Sequence, residues 1–214
     1  GIGQALALRY YQAGHALALT ARRTGEIASW CAAQGLDIQR VGIYGADVAE
    51  PDSIIAAAQA SIARQGLADV VVANAGISIG IDTGIREDLD VLARIFAINN
   101  LGLAATFHPF VRPMRARRSG TLVGIGSVAA IRGLPGHGGY CASKAGVLAY
   151  CESLRGELRA DGVRVVTLLP GYIDTPLTRK NRYGMPFLMA PQAFADRAFA
   201  AIEAGVSYRV IPWQ

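Results

Sequence analysis

At 214 residues, with 52% hydrophobic and 17% charged side chains, the chain is long enough for one sizeable core and too short for two comfortable domains, so a single domain over 1-214 is expected. A formal charge of +5 does not point to nucleic acid, because the arginines are scattered. The one cluster, Arg112, Arg115, Arg117 and Arg118, falls at a predicted helix end where cations complement the dipole. Cys31, Cys141 and Cys151 lack metal-ligand spacing, and their odd number argues against a full disulfide framework. That pattern fits a reducing cytoplasm and no metal. No uninterrupted apolar stretch approaches the roughly 18 residues of a membrane-spanning candidate.

The chain opens Gly1-Ile2-Gly3 and continues in a helical pattern through Leu6, Leu8, Arg9 and Tyr10 to Gly14. Apolar runs at His15 to Ala21, Gln39 to Ile43, Asp69 to Ala73, Thr121 to Ile125, Val163 to Leu169 and Tyr208 to Ile211 predict strands, with segments of helical length between them. This βαβα rhythm predicts an α/β fold, a doubly wound parallel sheet with helices on both faces. In such sheets, ligands bind at the carboxyl ends of the strands. No internal repeat or low-complexity linker interrupts the pattern.

Three residues carry chemistry together. Tyr140 and Lys144 lie four apart at the start of a predicted helix running to about Ala160, and positions four apart share a helix face. A lysine ammonium beside a tyrosine ring favours phenolate over phenol, which suits the tyrosine to proton transfer near neutral pH. Ser127, thirteen residues upstream, closes the run Thr121 to Gly126, so its hydroxyl falls at a strand's carboxyl end and can bond a substrate oxygen. Each feature alone is commonplace. Their joint occurrence, in this order within a dinucleotide-type alternation of strands and helices, favours an enzyme acting on a carbonyl or alcohol.

On these residues the chain resembles the short-chain dehydrogenase/reductase family, in its shorter single-domain form. Tyr140-Cys-Ala-Ser-Lys144 matches the family's Tyr-x-x-x-Lys motif, and Ile125-Gly-Ser127 matches the position of its catalytic serine. The resemblance covers nearly the whole chain and implies hydride transfer between a nicotinamide cofactor and a carbonyl carbon. Tyr140 would serve as general acid or base, Ser127 would orient the oxygen, and Lys144 would favour tyrosine ionisation and hold the nicotinamide ribose. Asn99, within a predicted long helix, matches the asparagine that in many relatives holds a water beside the lysine. Asn100 is the alternative if the register is off by one.

The resemblance also implies a cofactor site. Gly1, Ile2 and Gly3 look like the end of the family's glycine-rich turn, where backbone and helix dipole meet a pyrophosphate. The family's first strand, central in the order 3-2-1-4-5-6, and its first glycine are not in the sequence. The strands flanking that position are therefore expected to lack a hydrogen-bonding partner, and the functional polypeptide to extend beyond Gly1 and past Gln214. After the first visible strand stand Arg22 and Arg23 with no acid nearby. Arginine's planar fork suits a ribose 2′-phosphate, so NADP(H) is favoured over NAD(H), although two arginines also suit a solvated loop.

Asp47 and Val48 resemble the adenine-contacting pair, with an ordinary helix-entry aspartate as the other reading. Asn74, Ala75 and Gly76 resemble the turn that packs on the cofactor, with Ala73 where many relatives carry a second asparagine. Pro170, Gly171, Ile173 and Thr175 resemble the family's Pro-Gly segment, with Thr175 at the nicotinamide carboxamide. A substrate lid is expected over 176-191, where Arg179, Lys180 and Arg182 precede Met185, Pro186, Phe187, Leu188 and Met189. An apolar or amphipathic small-molecule substrate follows, without a choice among ketones, 3-oxoacyl compounds and steroid-like alcohols. Family precedent implies a homodimer or homotetramer built on the helices around 86 to 114 and 140 to 160. The competing readings are a non-catalytic NADP-binding sensor or scaffold and an inactive truncated fragment.

Overall fold

A computed structural model describes residues 1–180 and 184–213. Helices α1 (Ile2–Gln12), α2 (Thr24–Ala33) and α3 (Pro51–Gln65) alternate with strands β1 (Leu17–Ala21), β2 (Val41–Gly45) and β3 (Val70–Ala73). Then follow α4 (Asp88–Phe96), α5 (Gly102–Arg117), β4 (Thr121–Ile125), α6 (Gly138–Leu158), β5 (Arg164–Pro170), α7 (Pro191–Glu203) and β6 (Tyr208–Ile211). Every strand forms where the apolar runs predict one. The second starts two residues late because the Asp37 carboxylate accepts from Gln39 N at 2.9 Å and draws Ile38–Arg40 into a tight 3-10 turn.

All pairings are parallel, and they fall into two groups. β1 pairs with β2, Leu17 opposite Val41, while the other sheet runs β3-β4-β5-β6. β1 and β3 share no ladder, in keeping with the order expected when the central strand is not among the residues present. The two sheets are nonetheless joined through side chains. Leu17 and Val41 share one buried cluster with Val123, Ile125, Val166 and Leu168, closed by Leu6 and Tyr10 of α1 and by Phe194 and Ala198 of α7. The intervening strand residues point the other way. Leu122, Val165, Val71 and Ala73 meet Leu103 and Phe107 of α5 and Val147, Cys151 and Leu154 of α6. This alternation explains why β4 and β5 read as unbroken apolar runs: both faces of those strands are covered.

The predicted long helix departs from regularity at one place. Ala97–Leu101 forms a π-helical turn between α4 and α5, and Asn99 and Asn100 lie inside it. The whole run Asp88–Arg117 has the length and mean hydropathy, 1.2, of a membrane-crossing helix, the one such span among the described residues. Ile95, Phe107 and Met114 from that run are fully buried, while Arg94, Arg112, Pro109 and Pro113 interrupt it. It is a core helix of this fold. The three cysteines are buried thiols; burial pushes the Cys31 thiol up and Cys151 up to about 11.

Candidate active site

A cleft of about 240 Å³ opens at the carboxyl ends of β4 and β5 and at the start of α1. Of the residues singled out from sequence, Gly1, Ile2, Asn74, Gly76, Ser127, Tyr140, Lys144, Pro170, Gly171, Ile173 and Thr175 line it. Chain separation is large and spatial convergence close, as the parallel topology requires.

Lys144 sets the electrostatics. Its side chain is 4% exposed, its ammonium donates to the Ile125 carbonyl at 2.8 Å, and it stands 6.0 Å from the centre of the Tyr140 ring. Burial disfavours the charged form and lowers its pKa from 10.5 to about 8. The ammonium is thus retained at neutral pH but held less firmly than on a surface lysine. Tyr140 is half-buried on the first turn of α6. Ser127 follows β4 directly and is 8% exposed; its hydroxyl oxygen accepts from Ala129 N at 3.1 Å, which leaves the O–H to donate into the cleft.

Asn99 lies behind these groups and outside the cleft lining. Its amide makes a two-point contact with one backbone unit, accepting from Ile77 N at 2.9 Å and donating to Ile77 O at 3.0 Å. A second donation reaches the Ser143 hydroxyl at 2.9 Å. Gly76 sits between this asparagine and the lysine: a Cβ there would lie 3.2 Å from Lys144 Nζ and 3.3 Å from Asn99 Oδ1. Each neighbour is held by its own hydrogen bonds and would have to give by a few tenths of an ångström. Gly76→Ala is expected to cost about 1–3 kcal/mol by overpacking and to reduce turnover with it, read by urea unfolding and by rate. Unchanged stability would show that the loop relaxes.

The residues proposed to face the adenosine end lie apart from the cleft. Arg22 forms an ion pair with Asp47 at 3.6 Å, both partly exposed, and Asp47 also accepts from Ala49 N at 3.0 Å as a turn residue does. Arg23 pairs with Glu26 one helical turn on. Val48 packs where α5 begins, its carbonyl against Gly102. Ala75 is exposed in the loop after β3, and the Asn74 amide lies against Gly3.

Sequence reasoning gave no role to Ile125 and Gly126, which also line the cleft, or to Ser143, wholly buried beneath it; Pro176, Leu177 and Thr178, the first residues of the expected lid, line the cleft as well. At the base of the segment expected to form a lid, 176-191, Asp174 N donates to Met189 O and Met189 N donates to Tyr172 O, both at 2.9 Å. Leu177, Phe187 and Leu188 are exposed along it, and Arg179 is clamped by Asp174 at 2.7 Å. Arg182 and the Lys180 side chain lie outside the described residues.

The chain's residues fit a dinucleotide on two observations. The first turn of α1, whose N–H groups lack intrahelical partners, borders the cleft at Gly1 and Ile2. Beside it, Gly76 and Gly171 leave the wall without side chains between the helix start and Lys144.

Such a site, at the strand ends of a parallel sheet, defines an α/β nucleotide-binding oxidoreductase. Residues 1–185 match the family model for short chain dehydrogenases. An uncharacterized oxidoreductase of Myxococcus xanthus is 35% identical over all of this chain and 84% of its own length. A 3-oxoacyl-(acyl-carrier-protein) reductase FabG of Chlamydia trachomatis is 30% identical over 85% of this chain and 78% of its own length. Among solved structures, an alcohol dehydrogenase from Thermococcus sibiricus complexed with 5-hydroxy-NADP superimposes with a TM-score of 0.83 at 26% identity, covering 98% of this chain and 91% of that one. The chain belongs to the short-chain dehydrogenase/reductase family and is an NAD(P)-binding oxidoreductase acting on small molecules.

Proposed function

We propose that the protein interconverts a carbonyl and a secondary alcohol with NADP(H), Tyr140 acting as general acid and base. One observation carries the reading: a buried ammonium, Lys144, stands 6.0 Å from the centre of the Tyr140 ring in the same cleft as Ser127. Gly1, Ile2 and Gly3 would hold the pyrophosphate, Asp47 and Val48 the adenine, Arg22 and Arg23 the 2′-phosphate. Asn74, Ala75, Gly76, Pro170, Gly171, Ile173, Thr175 and Lys144 would hold the nicotinamide half. When bound, the cofactor supplies or accepts the hydride. Ser127 donates to the substrate oxygen and fixes its position. Tyr140 gives that oxygen a proton in reduction and removes it in oxidation. Lys144 favours the ionised phenol, and Asn99 keeps the lysine's surroundings in place.

The exposed Leu177, Phe187 and Leu188 of the lid favour an apolar or amphipathic substrate, and the Chlamydia relative's name makes a 3-oxoacyl compound the first to try. Exposed Phe96, Leu101 and Tyr150 on the α4 to α6 surface suit burial in a homodimer or homotetramer, and the buried thiols suit a cytoplasmic protein.

The cofactor assignment is tested by fluorescence titration with NADPH and NADH. NADPH is expected to bind at least about tenfold more tightly, the preference collapsing in Arg22→Ala, because an arginine fork on a phosphate is worth about 1.5–3 kcal/mol. Equal affinities overturn the assignment. NADPH binding with no turnover of any ketone or alcohol in a broad panel would favour the sensor reading instead.

A further inference from the structure

The helix turn that carries Tyr140 and Lys144 is held by polar bonds that converge on one residue between them. Ser143 has no exposed surface, and three hydrogen bonds meet there. Its hydroxyl donates to the Tyr140 carbonyl at 2.7 Å and accepts from Asn99 Nδ2 at 2.9 Å; its own carbonyl accepts from Asn100 Nδ2 at 2.8 Å. Both asparagines come from the π turn Ala97–Leu101. Two adjacent side chains on a regular helix point about 100° apart and do not both face one neighbour. The widened turn brings both amides onto Ser143.

Two details separate this arrangement from ordinary helix packing. Asn100 Oδ1 is buried without a hydrogen-bond partner, a loss of about 1–3 kcal/mol that is accepted while the amide nitrogen serves the Ser143 carbonyl. Flipping that amide would set two acceptors against each other. Gly146, on the same face of α6, supplies the room: a Cβ there would lie 2.7 Å from Asn100 Nδ2. A glycine inside a helix and an unpaired buried oxygen both cost stability, so the arrangement is poorly explained as a contribution to folding alone.

We propose that Ser143, held by Asn100 and Asn99, is a positioning residue that sets the pitch of the first turn of α6 and thereby the separation of Tyr140 from Lys144. The serine's bond to the carbonyl three residues back makes that carbonyl a shared acceptor, and such back-bonding bends a helix slightly. Asn99 anchors the bent turn to Ile77, and Asn100 fixes its far side. The inference rests on the acid–base reading of Tyr140 given above.

The test needs no substrate. Ultraviolet difference titration of the intact protein, with Tyr140→Phe as the blank, isolates the ionisation of Tyr140. In Ser143→Ala and in Gly146→Ala, which displaces Asn100, that step is expected to move upward by about half a pH unit or more as the ring leaves the ammonium. NADPH affinity is expected to stay within about twofold, since neither residue lines the cleft. A titration step unmoved in both variants, whatever their melting temperatures, makes Ser143 merely structural and overturns the proposal. A wild-type titration identical to that of Tyr140→Phe overturns the acid–base reading itself, and the positioning role with it.

Discussion

Tyr140→Phe is expected to lower kcat for carbonyl reduction by about 10²–10⁴-fold while NADPH binds within about twofold of wild type. The substitution deletes the cleft hydroxyl proposed to exchange a proton with the substrate oxygen and leaves the ring, which fills the same space. Ser127 cannot replace it, because a serine hydroxyl is a far weaker acid than a phenol. Lys144 cannot reach past its own bond to the Ile125 carbonyl without losing it. The comparison of kcat with cofactor affinity therefore isolates the proton step from binding. A variant that keeps more than a tenth of wild-type kcat on a verified substrate would remove Tyr140 from its role.

What the sequence made legible divides along physical lines. β4 and β5 were readable because burial on both faces leaves a run of apolar residues with no alternation to misread. Tyr140, Lys144 and Ser127 were readable because local spacing alone puts them on one helix face and one strand end. The division of the sheet between β1 and β3 followed from topology, a rule about order that does not depend on side chains. The π turn was not readable: nothing in Ala97–Leu101 distinguishes an α from a π hydrogen-bonding pattern. Its cause is non-local, the demand of Ile77 and Ser143 on two adjacent amides. Arg22 and Asp47, 25 positions apart, were each read as cofactor contacts, yet their pairing with each other depends on β1 and β2 lying side by side. Ser143 escaped notice for the same reason, since a serine on a helix is unremarkable until its three partners converge.

Lys144→Met is expected to remove activity and raise stability near neutral pH, with a pH dependence that identifies the cause. In the folded protein the ammonium titrates at about 8, against 10.5 for the ordinary lysine. Between those values the unfolded chain binds more protons than the folded one, so the stability of the wild type must climb as pH rises through that window. The gap corresponds to about 3 kcal/mol, fully recovered above 10.5 and lost as pH falls through 8. Methionine fills a similar volume and carries no charge, so its variant escapes the penalty, while losing the donor to Ile125 O at a cost of about 1 kcal/mol. Urea unfolding at pH 7.5 and 9.5 is expected to show Lys144→Met more stable than wild type at the lower pH, the two converging at the higher. Parallel stabilities at both pH values would mean that the ammonium is solvated in the cleft. In that event the lysine's pull on the tyrosine would be weak, about 0.7 kcal/mol for unit charges 6.0 Å apart in bulk water.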